Sequence, residues 1–165
     1  MTEKTTLETI KAGVPKSEWE WFGNAAHFIC GHMCRFHMAT KVGDYLVSTV
    51  GEMWPDSEVR EIYASTRGIA LRGKGDARAA DYMKKIGYEE IGYRRKFETM
   101  VFRAGPRCTA KGCKCGMPCI TGHELESDGY NDAGSATIGH NILCDLVATA
   151  EWIAKAEATH EPKVD

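Results

Sequence analysis

The alternation of apolar and polar positions is clearest between residues 34 and 52. Arg35-Phe36-His37-Met38-Ala39-Thr40-Lys41-Val42 and Tyr45-Leu46-Val47-Ser48-Thr49-Val50-Gly51 are two β-rich runs separated only by Gly43-Asp44. That pattern predicts a hairpin with a two-residue turn. Val42 then faces Tyr45, Ala39 faces Ser48, His37 faces Val50 and Arg35 faces Glu52. Side chains alternate between faces, so Phe36, Met38, Val42, Tyr45 and Val47 form a core face. The other face carries Arg35, His37, Lys41, Ser48 and Glu52, with Leu46 and Val50 among them.

A third strand is expected at 96–102. Phe97, Thr99 and Val101 alternate with Lys96, Glu98, Met100 and Phe102, so both of its faces should be covered. Two helices are expected. Asp76 suits the N-cap of a helix over 77–86, with Gly87 as its stop. A long last helix over 135–158 follows from the helical spacing of Ile142, Leu143, Leu146, Val147, Ala150, Ile153 and Ala154. Residues 55–75 fit a short helix or a strand, and residues 105–132 read as a long loop. The whole is an α+β fold: a small antiparallel sheet with a central hairpin at about 34–52, packed by the long C-terminal helix. Residues 1–18 and 159–165 read as flexible ends of a single domain spanning 19–158, which includes a Cys-rich loop at 105–123.

Composition narrows the class. The chain has 165 residues, 43% hydrophobic and 27% charged, as expected of one globular domain. A net charge of −2 does not favour a nucleic-acid binder, although Arg94, Arg95 and Lys96 form a local basic run. No stretch approaches the ~20 apolar residues of a membrane helix. The first residues show no apolar secretion-signal core. Seven cysteines, an odd number, fit a reducing compartment and hence the cytoplasm.

Four of those cysteines, Cys108, Cys113, Cys115 and Cys119, fall within twelve residues. Thiolates bind zinc tetrahedrally, and Gly112 and Gly116 let the backbone wrap a metal. A structural zinc would order a loop of this length, with His123 or Cys144 as alternatives to Cys119 for the fourth ligand. Surface thiols without metal are the competing reading.

Other chemistry converges on the hairpin's polar face. His37 beside Glu52 has the elements of a general base, and His27 is a second candidate base from the preceding loop. Arg35 and Lys96 supply cations for an anionic, nucleotide-like ligand. The competing reading is a solvated face with an Arg35–Glu52 ion pair. Gly129 to Thr137 lead into the last helix, where Asn131 and Thr137 could meet an anion at a helix N-terminus. Plain capping by Asp132, Ser135 or Thr137 is the alternative there. The segment lacks the Gly-Lys-Ser/Thr core of a P-loop. His140 and Cys144, one helical turn apart, have chelating spacing.

Phe22-Gly-Asn-Ala-Ala-His27-Phe-Ile-Cys30, Cys34-Arg-Phe-His37, Leu46-Val-Ser-Thr-Val-Gly-Glu52, Lys96-Phe-Glu-Thr-Met-Val-Phe102, Cys113-Lys-Cys115-Gly and Gly129-Tyr-Asn131 together cover most of the domain. On these segments the chain is similar to a family of proteins from tailed phages and prophages that carries no established activity. The resemblance implies a phage accessory protein acting in the bacterial cytoplasm, and makes interference with host defence a reasonable role. Three functions follow as expectations. The first is a non-catalytic binder of a small anionic ligand or host defence factor, with a zinc-stapled loop. The second is a small metal- or His-dependent hydrolase or nuclease. The third is a protein-interaction inhibitor of a host protein.

Overall fold

A computed structural model describes residues 13–23, 34–53, 94–109, 111 and 115–159. Its centre is a five-stranded antiparallel sheet in sequential order: β1 (Glu20–Phe22), β2 (Cys34–Val42), β3 (Tyr45–Met53), β4 (Phe97–Arg107) and β5 (Pro118–Tyr130). Two helices follow, α1 (Ala133–Val147) and α2 (Ala150–Ala158). The chain is thus α+β, as its sequence pattern predicts.

The expected hairpin is present in the expected register. Val42 pairs with Tyr45, Ala39 with Ser48 and His37 with Val50. Gly43 takes a φ of +57° at the first turn position, where a side chain would be strained. One face of the sheet receives both helices. Val42, Tyr45, Val47 and Val101 pack there against Leu143, Cys144, Val147, Trp152, Ile153 and Ala156. Each fully buried Val, Leu or Ile contributes roughly 1.5–3 kcal/mol by removal from water. Tyr45 lies edge-on to Trp152 and donates to Glu157 at 2.6 Å. Arg103 donates to the same carboxylate at 2.8 Å, fixing α2 against β3 and β4.

Several sequence expectations need correction. Residues 105–132 are not a loop: β4 runs on to Arg107 and β5 begins at Pro118, so only 108–117 connect them. The single helix over 135–158 is two. Ala148 ends α1, and Thr149 starts α2 by accepting from the Trp152 N–H. The segment from Gly13 is docked rather than peripheral, since Val14 is buried and its N–H donates to Ala148 O at 2.8 Å.

The face away from the helices is not simply solvated. Ala39, Leu46 and Met117 form a small buried cluster there, backed by Phe22, Ala104 and Cys115. Ser48, Val50 and Glu98 are buried on the same face. The expected helix over 77–86, its Asp76 cap, the 55–75 segment, His27 and Cys113 lie outside the described residues. No helix among the described residues is long and apolar enough to cross a membrane.

Candidate functional site

The pairing register brings most of the candidate ligand residues to one end of the sheet. The pairs Cys34–Met53 and Phe36–Gly51 bracket Arg35 opposite Glu52. Gly51 pairs with Phe97, and Phe97 with Tyr130. Glu52 near the end of β3, and Lys96 and Asn131 just outside β4 and β5, come to the same end of the sheet. Backbone bonds hold that end together: the Glu52 N–H donates to Lys96 O at 3.2 Å, and the Lys96 N–H to Tyr130 O at 3.1 Å. Arg35, Glu52, Lys96 and Asn131 are all exposed. Glu52 sits at a φ of +52°, unusual for a residue with a side chain.

Next along the open face, one rung holds His37, Val50, Glu98 and Gly129. Burial pushes the Glu98 carboxyl above its ordinary range, and Glu124 adds to the effect. Gly129 matters because the Arg95 side chain lies over it, with Arg95 Cγ only 2.6 Å from where a Cβ would stand. Arg95 thus covers the face beside Glu98. Its exposed neighbours Arg94 and Lys96 add positive charge to this end of the sheet, beside the exposed carboxylates of Glu52, Asp128 and Asp132. The sequence marked Arg95 only as part of a basic run; its packing over Gly129 is what places it.

His37 carries the most informative detail. Its Nε2 lies 3.2 Å from Gly23 O. A carbonyl oxygen only accepts, so Nε2 holds the proton in the neutral ring. Nδ1 is then a lone-pair acceptor, and it is buried with no hydrogen-bond partner among the described residues. Leaving a buried polar atom unsatisfied costs about 1–3 kcal/mol. Such atoms mark positions where a ligand, water or ion completes the bonding.

Thr137 does not join this site. Its hydroxyl donates to Ala133 O at 2.8 Å within α1. The N-terminus of α1 is also occupied, because the Asp132 carboxylate accepts from the Ser135 N–H at 2.8 Å and from the Ser135 hydroxyl at 2.7 Å. Those bonds from Ser135 hold the Asp132 carboxyl below its ordinary range. Capping by Asp132 is the alternative observed.

The cysteine candidates separate. Cys108, Cys115 and Cys119 lie in or beside the β4–β5 tip, and His123 is exposed on β5. Cys144 is fully buried on the helix-covered face, whereas Cys115 packs on the other, so the sheet stands between Cys144 and the tip. Among the described residues no group of three or more His, Cys, Asp or Glu side chains is placed to hold a metal. Cys113, which completes the expected set, is not among them. Protein contacts anchor the tip at its base. The Cys108 N–H donates to Met117 O at 2.9 Å, and Met117 is fully buried. Arg107 donates to both Glu20 carboxylate oxygens, at 2.7 and 2.6 Å, and also to Gly116 O.

The helix-covered face holds a second polar constellation. His140 is fully buried. Its Nε2 is 2.8 Å from the Thr40 hydroxyl and its Nδ1 is 2.7 Å from the Thr49 hydroxyl. Thr49 in turn lies 2.7 Å from the Thr99 hydroxyl. The Trp21 ring lies 5.7 Å away, tilted by 35°. Burial lowers the imidazole pKa to about 4, and raises that of the neighbouring Cys144 thiol to about 12. A neutral imidazole and a protonated thiol without solvent access fit a satisfied core network, not a chelating pair or a nucleophile. No family model, no curated protein and no solved structure matches the chain.

Proposed function

We propose that the protein binds a small anionic, nucleotide-like ligand at the cationic end of the open sheet face. Arg35, Arg95 and Lys96 supply charge and hydrogen-bond donors, and Asn131 a neutral donor. Glu52 sets the other sign there, and selects a ligand with donor groups of its own. What supports this reading is the run of exposed cations at that end; His37 Nδ1, an acceptor with no partner among the described residues, would take a donor group of the ligand. A phage setting, with a ligand or factor of host defence as the target, is part of the same proposal.

The test is thermal unfolding of the full chain with inorganic phosphate and with mononucleotides as probes. A ligand at a hundredfold its Kd stabilises by about 2.7 kcal/mol. For a chain of this size that raises Tm by roughly 5–10 °C. Arg35→Ala and Lys96→Ala should each lose most of the rise, while Lys16→Ala, on the helix side, keeps it. An undiminished rise in both variants would sink the assignment.

The same Nδ1 supports a second reading, a hydrolase in which His37 is the general base and Glu52 or Glu98 a metal ligand or acid. It requires turnover of a phosphoester probe that vanishes in His37→Ala. A structural zinc at Cys108, Cys113, Cys115 and Cys119 belongs to the same proposal. Protein purified without added metal should carry one zinc per chain, removed by substituting Cys108 with Ser. Metal-free protein with reactive thiols would discard the staple and leave the Arg107 and Met117 anchors to order the tip.

A further inference from the structure

Glu98 is only 8% exposed, yet among the described residues nothing donates a hydrogen bond to its carboxyl. The pairing register gives the reason. Its cross-strand neighbours are Val50 and Gly129, and neither side chain can donate. The one charge acting on it is the like charge of Glu124. Buried carboxylates are ordinarily paired or hydrogen-bonded, because leaving water without a donor is costly.

His37, Val50 and Glu98 face each other on adjacent strands and so share one face. Strands lie about 4.8 Å apart, which sets His37 and Glu98 roughly 10 Å apart with Val50 between them. Val50 is thus an apolar seat with an acceptor on either side, His37 Nδ1 and the Glu98 carboxylate. Neither has a donor among the described residues. A ligand resting on Val50 must bring donors at both ends. Arg35 and Lys96 lie two residues along the same strands, a step of about 6.8 Å. A ring over Val50 and a phosphate at those cations are within the span of one mononucleotide.

We infer that the ligand is a guanosine nucleotide whose base Glu98 reads. This rests on the anion site proposed above and adds which base the ligand carries. An ionised carboxylate only accepts, and its two oxygens take a pair of adjacent donors best. Of the four RNA bases, guanine alone offers such a pair, N1–H beside the N2 amino group. Adenine, cytosine and uracil each set an acceptor lone pair against one carboxylate oxygen. The ribose joins guanine at the opposite end of the ring system, which places its hydroxyls on the His37 side, where one donates to Nδ1. The phosphate then follows along β2 to Arg35.

Isothermal titration of the full chain with GMP, AMP, CMP and UMP tests the inference. GMP should bind at least about tenfold more tightly than the other three. In Glu98→Gln the amide keeps an acceptor for N1–H and turns a donor towards position 2 of the base. Preference should therefore pass from GMP to xanthosine monophosphate, which carries a carbonyl oxygen there. A gain of xanthosine monophosphate binding cannot come from a damaged fold. Equal affinity for all four bases, or a GMP preference that survives in Glu98→Gln, would overturn the guanine assignment and leave the anion site standing. Binding of neither phosphate nor any nucleotide would remove both.

Discussion

On the helix-covered face of the sheet, a fully buried histidine has both ring nitrogens bonded to threonine hydroxyls. On the open face His37 has a single bond, to a carbonyl, and a buried nitrogen with none among the described residues. The carboxylates differ in the same way. Glu157, on the helix side, takes hydrogen bonds from Tyr45 and Arg103. Glu98, on the open face, is buried and pushed towards its protonated form. The same side-chain types serve packing where their bonds close within the fold, and are available for binding where they do not. Polar residues in a sheet are therefore best judged by completed bonds, not by residue type.

Deleting each histidine gives the largest contrast. His140→Ala removes the hydrogen bonds to the buried Thr40 and Thr49 hydroxyls and opens a cavity, at a cost of about 3–5 kcal/mol. His37→Ala removes an atom whose bonding is incomplete and should cost less than about 1 kcal/mol. Urea unfolding midpoints measure both, and equal losses would dissolve the distinction between the faces.

Acid sharpens the contrast with a smaller effect. The His140 pKa of about 4 lies below its ordinary 6.5. Between those values the unfolded chain binds a proton that the folded chain does not. Stability should fall as pH drops from about 6.5 to about 4, by on the order of 3 kcal/mol from this group alone. Replacing His140 with Gln should flatten that slope in chemical unfolding across the range.

Glu98 acts in the opposite sense. Its folded-state pKa is raised, so the stability it contributes is present below its ordinary 4.5 and fades as pH rises above it. Glu98→Gln should therefore gain on the wild type at neutral pH relative to pH 4, the smallest of these effects. A constant difference between the two proteins across pH would place Glu98 in water in the folded state.

The hairpin of β2 and β3 was legible because a Gly-Asp turn and period-two alternation agree over eighteen residues. Strand β5 was not. Its Gly122, Glu124, Glu126, Asp128 and Gly129 avoid the β-branched pattern, as edge strands do when they resist pairing with other chains. The break at Thr149 was hidden by an apolar period that runs through it without Gly or Pro. Of the candidate site, residue types could nominate Arg35, His37, Glu52, Lys96 and Asn131 singly. Their gathering at one end of the sheet needed the β4–β5 register, which depends on the unseen strand. The His140 network did leave a signal. Thr40, Thr49 and Thr99 occupy inward positions of three consecutive strands, and hydroxyls in a core require partners. The one imidazole within the apolar stripe of the last helix supplies them.

That network also gives the molecule a built-in gauge. Of the three histidines among the described residues, only His140 is buried. Its ring proton is bonded to a hydroxyl and shielded from solvent, so it should exchange slowly enough to give a separate downfield resonance in the magnetic resonance spectrum of the intact protein. The signal requires α1 to be seated on β2 and β3 at once. Its broadening with heat, acid or denaturant would time the opening of that single layer, before or together with the loss of the sheet.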